Sequence, residues 1–253
     1  MKILATYNIK GGVGKTATAV NLSWLAARAG HRTLVWDMDP QGAATFYFRI
    51  KPKVKGGSKG LLRGKHELDD LVKGSDFEGL DLLPADFSYR HLDLLLDERK
   101  KPTSQLRKLL KPLAAEYEYV ILDCPPSISL VSEAVFRAAD ALLVPLIPTT
   151  LSLRTFKQLL VFRRDQGLQD LRILPFFSMV DRRRKLHQQI ADFLPGKYRD
   201  MLRTEIPYAS EIERMGVYRA PLGSYAGHSR SAQAYEALWA EVVAKLEGGR
   251  NGS

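Results

Sequence analysis

Short apolar runs alternate along the chain with segments of helical periodicity. The runs, rich in Ile, Val and Leu, are residues 3–7, 33–37, 80–83, 119–123, 141–145, 173–177 and 204–206. The helical segments are residues 16–29, 104–116, 130–139, 153–166, 186–193 and 231–246. This alternation is typical of βαβ units, and near-continuous apolar strands are typical of strands buried on both faces. The pattern predicts an α/β fold, in which a mostly parallel twisted sheet carries helices on both faces and residues 1–253 form a single domain.

Two stretches depart from this alternation. Residues 51–65 contain six Lys and Arg side chains among four glycines and no acidic residue. Such a composition is typical of a solvated loop, so we predict a mobile basic loop there. Residues 248–253 read GGRNGS and predict a disordered tail.

Composition excludes several classes of protein. With 45% hydrophobic and 26% charged residues, the chain can bury a core and is not disordered, collagen-like or a coiled coil. No uncharged apolar stretch reaches about 18 residues, the length needed to span a bilayer. The first residues reach glycine too early for a signal peptide. A lone cysteine, Cys124, cannot form an internal disulfide or hold a metal centre by itself, so we expect a cytoplasmic protein.

The chain is strongly basic. It has 38 Lys and Arg against 28 Asp and Glu, for a net charge of +10. This excess favours an anionic partner, such as nucleic acid, a phosphate-rich ligand or an acidic membrane. Solubility alone is the alternative explanation, and composition does not choose between them.

A glycine-rich loop follows the first predicted strand and precedes a helix. Its sequence is NIKGGVGKT, from Asn8 to Thr16. It lacks the first glycine of the usual phosphate-loop pattern because residue 9 is Ile. The spacing of Gly11, Gly14 and Lys15 still lets backbone N–H groups face a phosphate at the N-terminus of the helix. We expect Lys15 to reach the β- and γ-phosphates and Thr16 to hold Mg²⁺; the alternative is a structural glycine turn that contains a lysine.

Three aspartates follow predicted strands. Asp37 and Asp39 lie in DMDPQG, and Asp123 ends the run 119–123. In an open parallel sheet, ligands bind at the carboxyl ends of strands, beside the loop after the first strand. Asp123 there would orient Mg²⁺, and Asp39 would position or deprotonate the attacking water. Each aspartate alone could equally be a helix cap or a turn residue.

These motifs together resemble one family. KGGVGKT, DMDPQG and YEYVILDCPPS are similar to segments of the ParA/MinD family of deviant Walker A ATPases, and further similar segments extend over nearly the whole chain. Within that family the chain is most similar to small ParA/Soj-like partition ATPases. The resemblance implies a homodimer formed around two ATP molecules with Mg²⁺, in which Lys10 contacts the nucleotide of the partner subunit.

The resemblance also implies residue roles. It makes Lys10, Lys15 and Asp39 catalytic, and it places Mg²⁺ at Thr16 and Asp123. The implied nucleotide-binding residues are Lys10, Gly11, Gly12, Val13, Gly14, Lys15, Thr16, Ala17, Met179 and Pro207. Ala17 departs from the family, which usually has a threonine with an α-phosphate contact there; Ala43 departs from a frequent Asn. We expect these changes to affect nucleotide affinity rather than competence.

Charge distribution separates the branches of the family. Duplex DNA binding needs only clustered Lys and Arg on one face. The candidates, besides the basic loop, are Arg163, Arg164, Arg182, Arg183, Arg184 and Lys185. Because the sequence starts directly with a predicted strand, we expect no preceding helix-turn-helix and no sequence-specific operator binding. The last helix carries Glu236, Glu241 and Glu247 against Lys245, so we expect no membrane binding.

The expected function is therefore that of a weak ATP hydrolase that works as a switch. It would dimerise with ATP, bind DNA nonspecifically on the nucleoid, and segregate or position DNA or a protein cargo. A centromere-binding or cargo-adaptor protein would stimulate hydrolysis. The alternatives are a nucleotide-bound scaffold or MinD-like positioning protein that does not act through DNA, and a metabolic ligase on the same fold.

Overall fold

An eight-stranded sheet forms the centre of the computed structural model, which describes residues 1–63 and 68–248. The strands are β1 (Lys2–Thr6), β2 (Thr33–Asp37), β3 (Lys73–Gly74), β4 (Leu80–Leu83), β5 (Tyr119–Asp123), β6 (Ala141–Leu146), β7 (Arg172–Val180) and β8 (Glu205–Pro207). Their order is β3-β4-β2-β5-β1-β6-β7-β8, and only the β3–β4 pair is antiparallel. The predicted single-domain α/β fold with a mostly parallel sheet is confirmed.

Helices cover both faces of the sheet. They are α1 (Lys15–Arg28), α2 (Ala43–Tyr47), α3 (Gly57–Arg63), α4 (Leu92–Asp97), α5 (Gln105–Leu110), α6 (Leu130–Ala138), α7 (Thr150–Asp165), α8 (Lys185–Phe193), α9 (Ser210–Glu213), α10 (Met215–Tyr218), α11 (Leu222–Ala226) and α12 (Arg230–Glu247). Across the two described ranges, no helix has the length and hydropathy needed to cross a membrane.

Successive residues of the central strands pack alternately into two apolar cores, one on each face of the sheet. Ile3, Ala5 and Trp36 face one core, which α4, α5, α6 and α7 cover. Leu4 and Val35 face the other, where α1 and α12 pack. Because the central strands β1, β2, β5 and β6 are buried on both faces, each of their sequences reads as one continuous apolar run.

Two predicted segments differ from the structure. The single helix expected over 104–116 is wrong: α5 ends at Leu110, and Pro112–Ala115 form a separate 3-10 turn. Proline disfavours the helical conformation of the residue before it and lacks the N–H that would continue the helix, which accounts for the break.

The loop predicted over 51–65 is wrong for residues 57–63, which form α3. Val54 and Leu61 are buried in the core, and the Ser58 N–H donates to Ser88 Oγ at 2.7 Å. Burial of these apolar residues orders the segment although its cations stay exposed. Lys65 and the tail from residue 249 onward lie outside the described residues.

Strand β1 lies at the point where the order of the strands across the sheet reverses. It pairs with β5 on one side and β6 on the other, so the loop after it opens at the crevice where α/β sheets bind ligands. Helix α1 follows this loop and ends near Gly30, whose φ of 91° allows the left-handed turn expected there.

Replacing Leu4 in this central strand will destabilise the fold. Leu4 is 0% exposed, so Leu4→Ala removes buried methyl groups and leaves a cavity. We expect the free energy of unfolding to fall by about 2–5 kcal/mol, measured by chemical denaturation. Leu94→Ala, the same change at a residue that is 67% exposed, should shift it by less than about 0.5 kcal/mol. Equal losses in both variants would contradict the assignment of Leu4 to the core.

Candidate nucleotide site

The loop between β1 and α1 curls around an open space. Gly12 and Gly14 have φ of 68° and 95°, values that only glycine adopts without strain. A Cβ on Gly14 would also lie 2.8 Å from Ser178 Oγ. Gly11, Gly12 and Gly14 line the space, and α1 begins directly after them. Free backbone N–H groups at this helix N-terminus suit a bound phosphate.

Lys15 is a buried cation without an acidic partner in contact. Lys15 is 7% exposed, and its Nζ donates to the Lys10 carbonyl at 3.2 Å. Throughout 1–63 and 68–248, the structure shows no ion pair to Lys15. Burial lowers the pKa of Lys15, and the nearby Asp123 carboxylate acts in the opposite direction. A polyanion in the adjoining space would stabilise this ammonium group.

Two buried carboxylates end neighbouring strands below Lys15. Asp37 and Asp123 pair in register across β2 and β5, and both are 0% exposed. Thr6 Oγ1 donates to Asp123 Oδ1 at 3.2 Å, whereas Asp123 Oδ2 is buried with no hydrogen-bond partner in the described residues. Burial raises the pKa of Asp123, and the Asp37 charge raises it further. A cation at this edge would therefore stabilise the ionised form, which fits Mg²⁺.

Asp37 also fixes the segment that carries Asp39. Asp37 Oδ2 accepts from the Thr45 N–H and from Thr45 Oγ1, both at 2.7 Å. Asp37 Oδ1 accepts from the Asp39 N–H at 3.3 Å, and Asp39 Oδ1 accepts from the Gln41 N–H at 2.9 Å. These bonds make a tight turn that presents the half-buried Asp39 carboxyl toward the loop.

A cavity of about 330 Å³ connects these groups. Its lining includes the loop glycines, Lys15, Thr16, Ala17 and Asp39, together with Met179 and Pro207 near the ends of β7 and β8. The structure thus brings predicted nucleotide-binding residues from the loop and from β7 and β8 to one pocket. Met179 has φ of 55°, an uncommon left-handed conformation for a residue with a side chain.

Three predicted site residues do not line this cavity. Val13 is 0% exposed and packs in the core, so only its backbone could face a ligand. Asp123 lies buried beneath the cavity. Lys10 is half-buried at the mouth of the loop, where its N–H donates to Asn8 Oδ1 at 2.9 Å.

The basic residues predicted to contact DNA differ in their surroundings. Arg163 donates to the carbonyls of Leu168 and Gln169, which closes the end of α7. Three more form surface ion pairs with carboxylates: Arg164 with Asp165, Arg182 with Glu205, and Arg183 with Asp181. Arg184 and Lys185 are exposed and form no ion pair with any described residue.

Several cavity residues were not predicted from the sequence. They are Tyr47, Pro126, Ser178, Ile206, Tyr208, Ala209, Ile212, Glu213 and Tyr235, whereas Ala43, which the sequence already linked to nucleotide affinity, also lines the cavity. Most belong to short helices or strand ends from the second half of the chain. Tyr235 lies in the helical segment predicted over 231–246, and that periodicity gives no sign of a ligand site.

Comparisons with known proteins agree with this geometry. A family model described as an AAA domain matches residues 1–166. The chromosome partitioning protein ParA of Myxococcus xanthus is 32% identical, over 96% of this chain and 88% of its own. The sporulation initiation inhibitor protein Soj of Bacillus subtilis is also 32% identical, over 96% of this chain and 98% of its own.

A solved structure extends the similarity. Cobyrinic acid a,c-diamide synthase from Mycobacterium smegmatis, with a bound ATP analogue and magnesium, has a TM-score of 0.82 and 27% identity. The match covers 100% of this chain and 97% of the synthase chain. Together with the glycine loop and the strand-end aspartates, these findings show that the chain belongs to the ParA/MinD family of deviant Walker A ATPases, among its ParA/Soj members.

Proposed function

We propose that this protein is an ATP-dependent switch ATPase that dimerises, binds DNA nonspecifically, and segregates or positions DNA or a protein cargo. The observation that carries the proposal is a pocket lined by a glycine loop and the buried Lys15, close to the buried Asp123. Within residues 1–63 and 68–248, Lys15 has no ion pair and Asp123 Oδ2 has no hydrogen-bond partner. A bound nucleoside triphosphate would supply negative charge next to Lys15, and its divalent cation would supply positive charge next to Asp123. Relatives named for chromosome partitioning support the cellular role.

Different residues of the pocket would contact different parts of the nucleotide. The loop N–H groups and Lys15 would hold the phosphates, while Met179 and Pro207 would flank the adenine. Thr16 and Asp123 would hold Mg²⁺, which neutralises phosphate charge when bound. Asp39 would orient or deprotonate the attacking water, since one of its carboxyl oxygens is not used by the turn. Lys10 lies at the mouth of its own loop, and this position supports a contact to the nucleotide of the partner subunit.

Binding to duplex DNA would follow dimerisation. Two subunits double the number of cationic contacts, so a modest affinity per subunit becomes a firm hold. A centromere-binding or cargo-adaptor protein would stimulate hydrolysis and release the protein from the nucleoid. The alternative is a nucleotide-bound scaffold that does not act through DNA. A phosphate-release assay with and without DNA separates the two, because zero turnover under every condition favours the scaffold.

Lys15→Ala will abolish nucleotide binding. The substitution removes the ammonium group of Lys15, which is buried beside the pocket, and leaves the phosphate charge without its compensation. We expect no detectable heat of binding for ATP with Mg²⁺ by calorimetry. Lys59→Ala removes an exposed lysine of α3 and should bind as the parent protein does. Unchanged binding by Lys15→Ala would place the nucleotide elsewhere.

Asp39→Ala will separate binding from hydrolysis. Asp39 is proposed to act on water, so its loss should lower the hydrolysis rate by about 10²–10⁴-fold. ATP binding and the ATP-dependent dimer should remain, as measured by light scattering, and the variant should stay on DNA. Asp70→Ala, at an exposed aspartate, serves as the control. Hydrolysis by Asp39→Ala at the parent rate would show that the catalytic assignment is wrong.

DNA binding will require ATP and will weaken with salt. In a gel shift on random duplex DNA, we expect retention with ATP or a non-hydrolysable analogue but not with ADP. Retention should be lost between roughly 50 and 300 mM salt, because each phosphate contact contributes about 0.9 to the salt slope. The double variant Arg184→Ala and Lys185→Ala should reduce that slope.

The matched control is the double variant Arg182→Ala and Arg183→Ala, which removes two cations that already form ion pairs with carboxylates. Arg182 and Arg183 form ion pairs with Glu205 and Asp181, so their removal leaves those carboxylates unpaired and changes the local charge by the same amount. The double variant Arg182→Ala and Arg183→Ala could reduce the salt slope while the variant at 184 and 185 did not. That result would show that the ion-paired arginines contact DNA and that Arg184 and Lys185 do not. Retention independent of nucleotide would contradict the switch.

A further inference from the structure

Tyr47 occupies a distinctive place in the nucleotide pocket. It ends α2, one helical turn after Ala43, and both residues line the cavity. Residues four apart lie on the same helix face, so α2 turns one side toward the ligand space. Ala17, from α1, lines the same cavity. Both alanines end in a methyl group, so neither can donate a hydrogen bond.

The phenol of Tyr47 has a free donor. Its residue is half-buried, and its hydroxyl forms no hydrogen bond with any residue in 1–63 or 68–248. Burial raises the pKa of Tyr47, and the Asp123 carboxylate raises it further, so the hydroxyl keeps its proton. A partly buried phenol usually finds a hydrogen-bond partner, and here the open side is the cavity.

Paired arginines hold α2 against α10, an arrangement we term the arginine clasp. Arg49 Nη2 donates to the Tyr218 carbonyl at 3.1 Å, and Arg219 Nε donates to the Phe46 carbonyl at 3.0 Å. Arg49 and Arg219 both have positive φ, of 61° and 49°. Such conformations are uncommon for residues with side chains, and here the contacts across the two helices maintain them.

The backbone of α2 is therefore anchored at both ends, and the ring of Tyr47 packs beside α10. A Cβ on Gly216 in α10 would lie 3.9 Å from Tyr47 Cε1, so the helices approach closely here. At the other end, Thr45 is anchored by Asp37. A side chain fixed before binding loses little conformational entropy when a ligand arrives.

We propose that the Tyr47 hydroxyl donates a hydrogen bond to bound nucleotide where the α-phosphate joins the ribose. Tyr47 lines the same cavity as the loop glycines, Met179 and Pro207, and the two alanines that share this lining offer no side-chain donor. The phenol supplies the polar contact that the methyl group of Ala17 cannot make. The inference rests on the proposed nucleotide site and names a binding residue for it.

Tyr47→Phe tests this inference because it removes only the hydroxyl. We expect calorimetry to show about tenfold weaker binding of both ATP and ADP with Mg²⁺, the usual effect of losing a hydrogen bond to a charged group. Both nucleotides contain the α-phosphate, so the loss should be equal. The control is Tyr119→Phe, at a half-buried tyrosine of β5 that packs against Trp239 and does not line the cavity. Thermal unfolding without nucleotide should be unchanged in both variants.

A second substitution distinguishes a shared role from a general weakening. Ala17→Thr restores a hydroxyl on α1 and should improve affinity more in the Tyr47→Phe background than in the parent protein. Equal improvement in both backgrounds, unchanged affinity of Tyr47→Phe, or a loss confined to ATP would each overturn the inference. If the parent protein itself failed to bind nucleotide, the proposed function would fail instead.

Discussion

The site depends on a buried ammonium group that the protein does not neutralise by direct contact. Lys15 sits on the first turn of α1, above two strand-end carboxylates that are themselves buried side by side. Removing these charges from water is unfavourable unless each gains a partner, and among the residues that the structure describes Lys15 Nζ contacts only the Lys10 carbonyl. The packing of β1 between β5 and β6 holds the groups in place. Stability of the core is thus what maintains an electrostatically incomplete site.

The sequence predicts this part of the site because local patterns determine it. Strands buried on both faces appear as apolar runs, and their carboxyl ends must meet at one edge of the sheet. The glycine loop is equally local, since Gly12 and Gly14 need positive φ within a few residues of Lys15. Asp123 follows from its strand end. The sequence does not show that Asp123 Oδ2 lacks a hydrogen-bond partner among the described residues, because this depends on which residues surround the carboxyl group in the folded protein.

The remainder of the pocket depends on contacts between distant segments. Helix α2 has five residues, too few to be stable alone, and it forms where Thr45 meets Asp37 and the arginine clasp meets α10. No periodicity within 43–47 indicates those contacts. Charge runs have the same limit: the sequence counts Arg182 among the cations, but Glu205, its ion-pair partner, lies in another strand.

The clasp gives the pocket two walls that belong to different parts of the chain. One wall follows Asp39 and includes α2; the other includes the end of β8 and α9, and leads into α10. A nucleotide between them would contact both, so its binding free energy would add to that of Arg49 and Arg219 in holding the walls together. Because the turn at Asp39 is continuous with α2, the position of the carboxyl proposed to act on water is set by the same contacts. In the proposed function, nucleotide binding and the position of the Asp39 carboxyl would therefore be coupled through α2, and not through the phosphate loop alone.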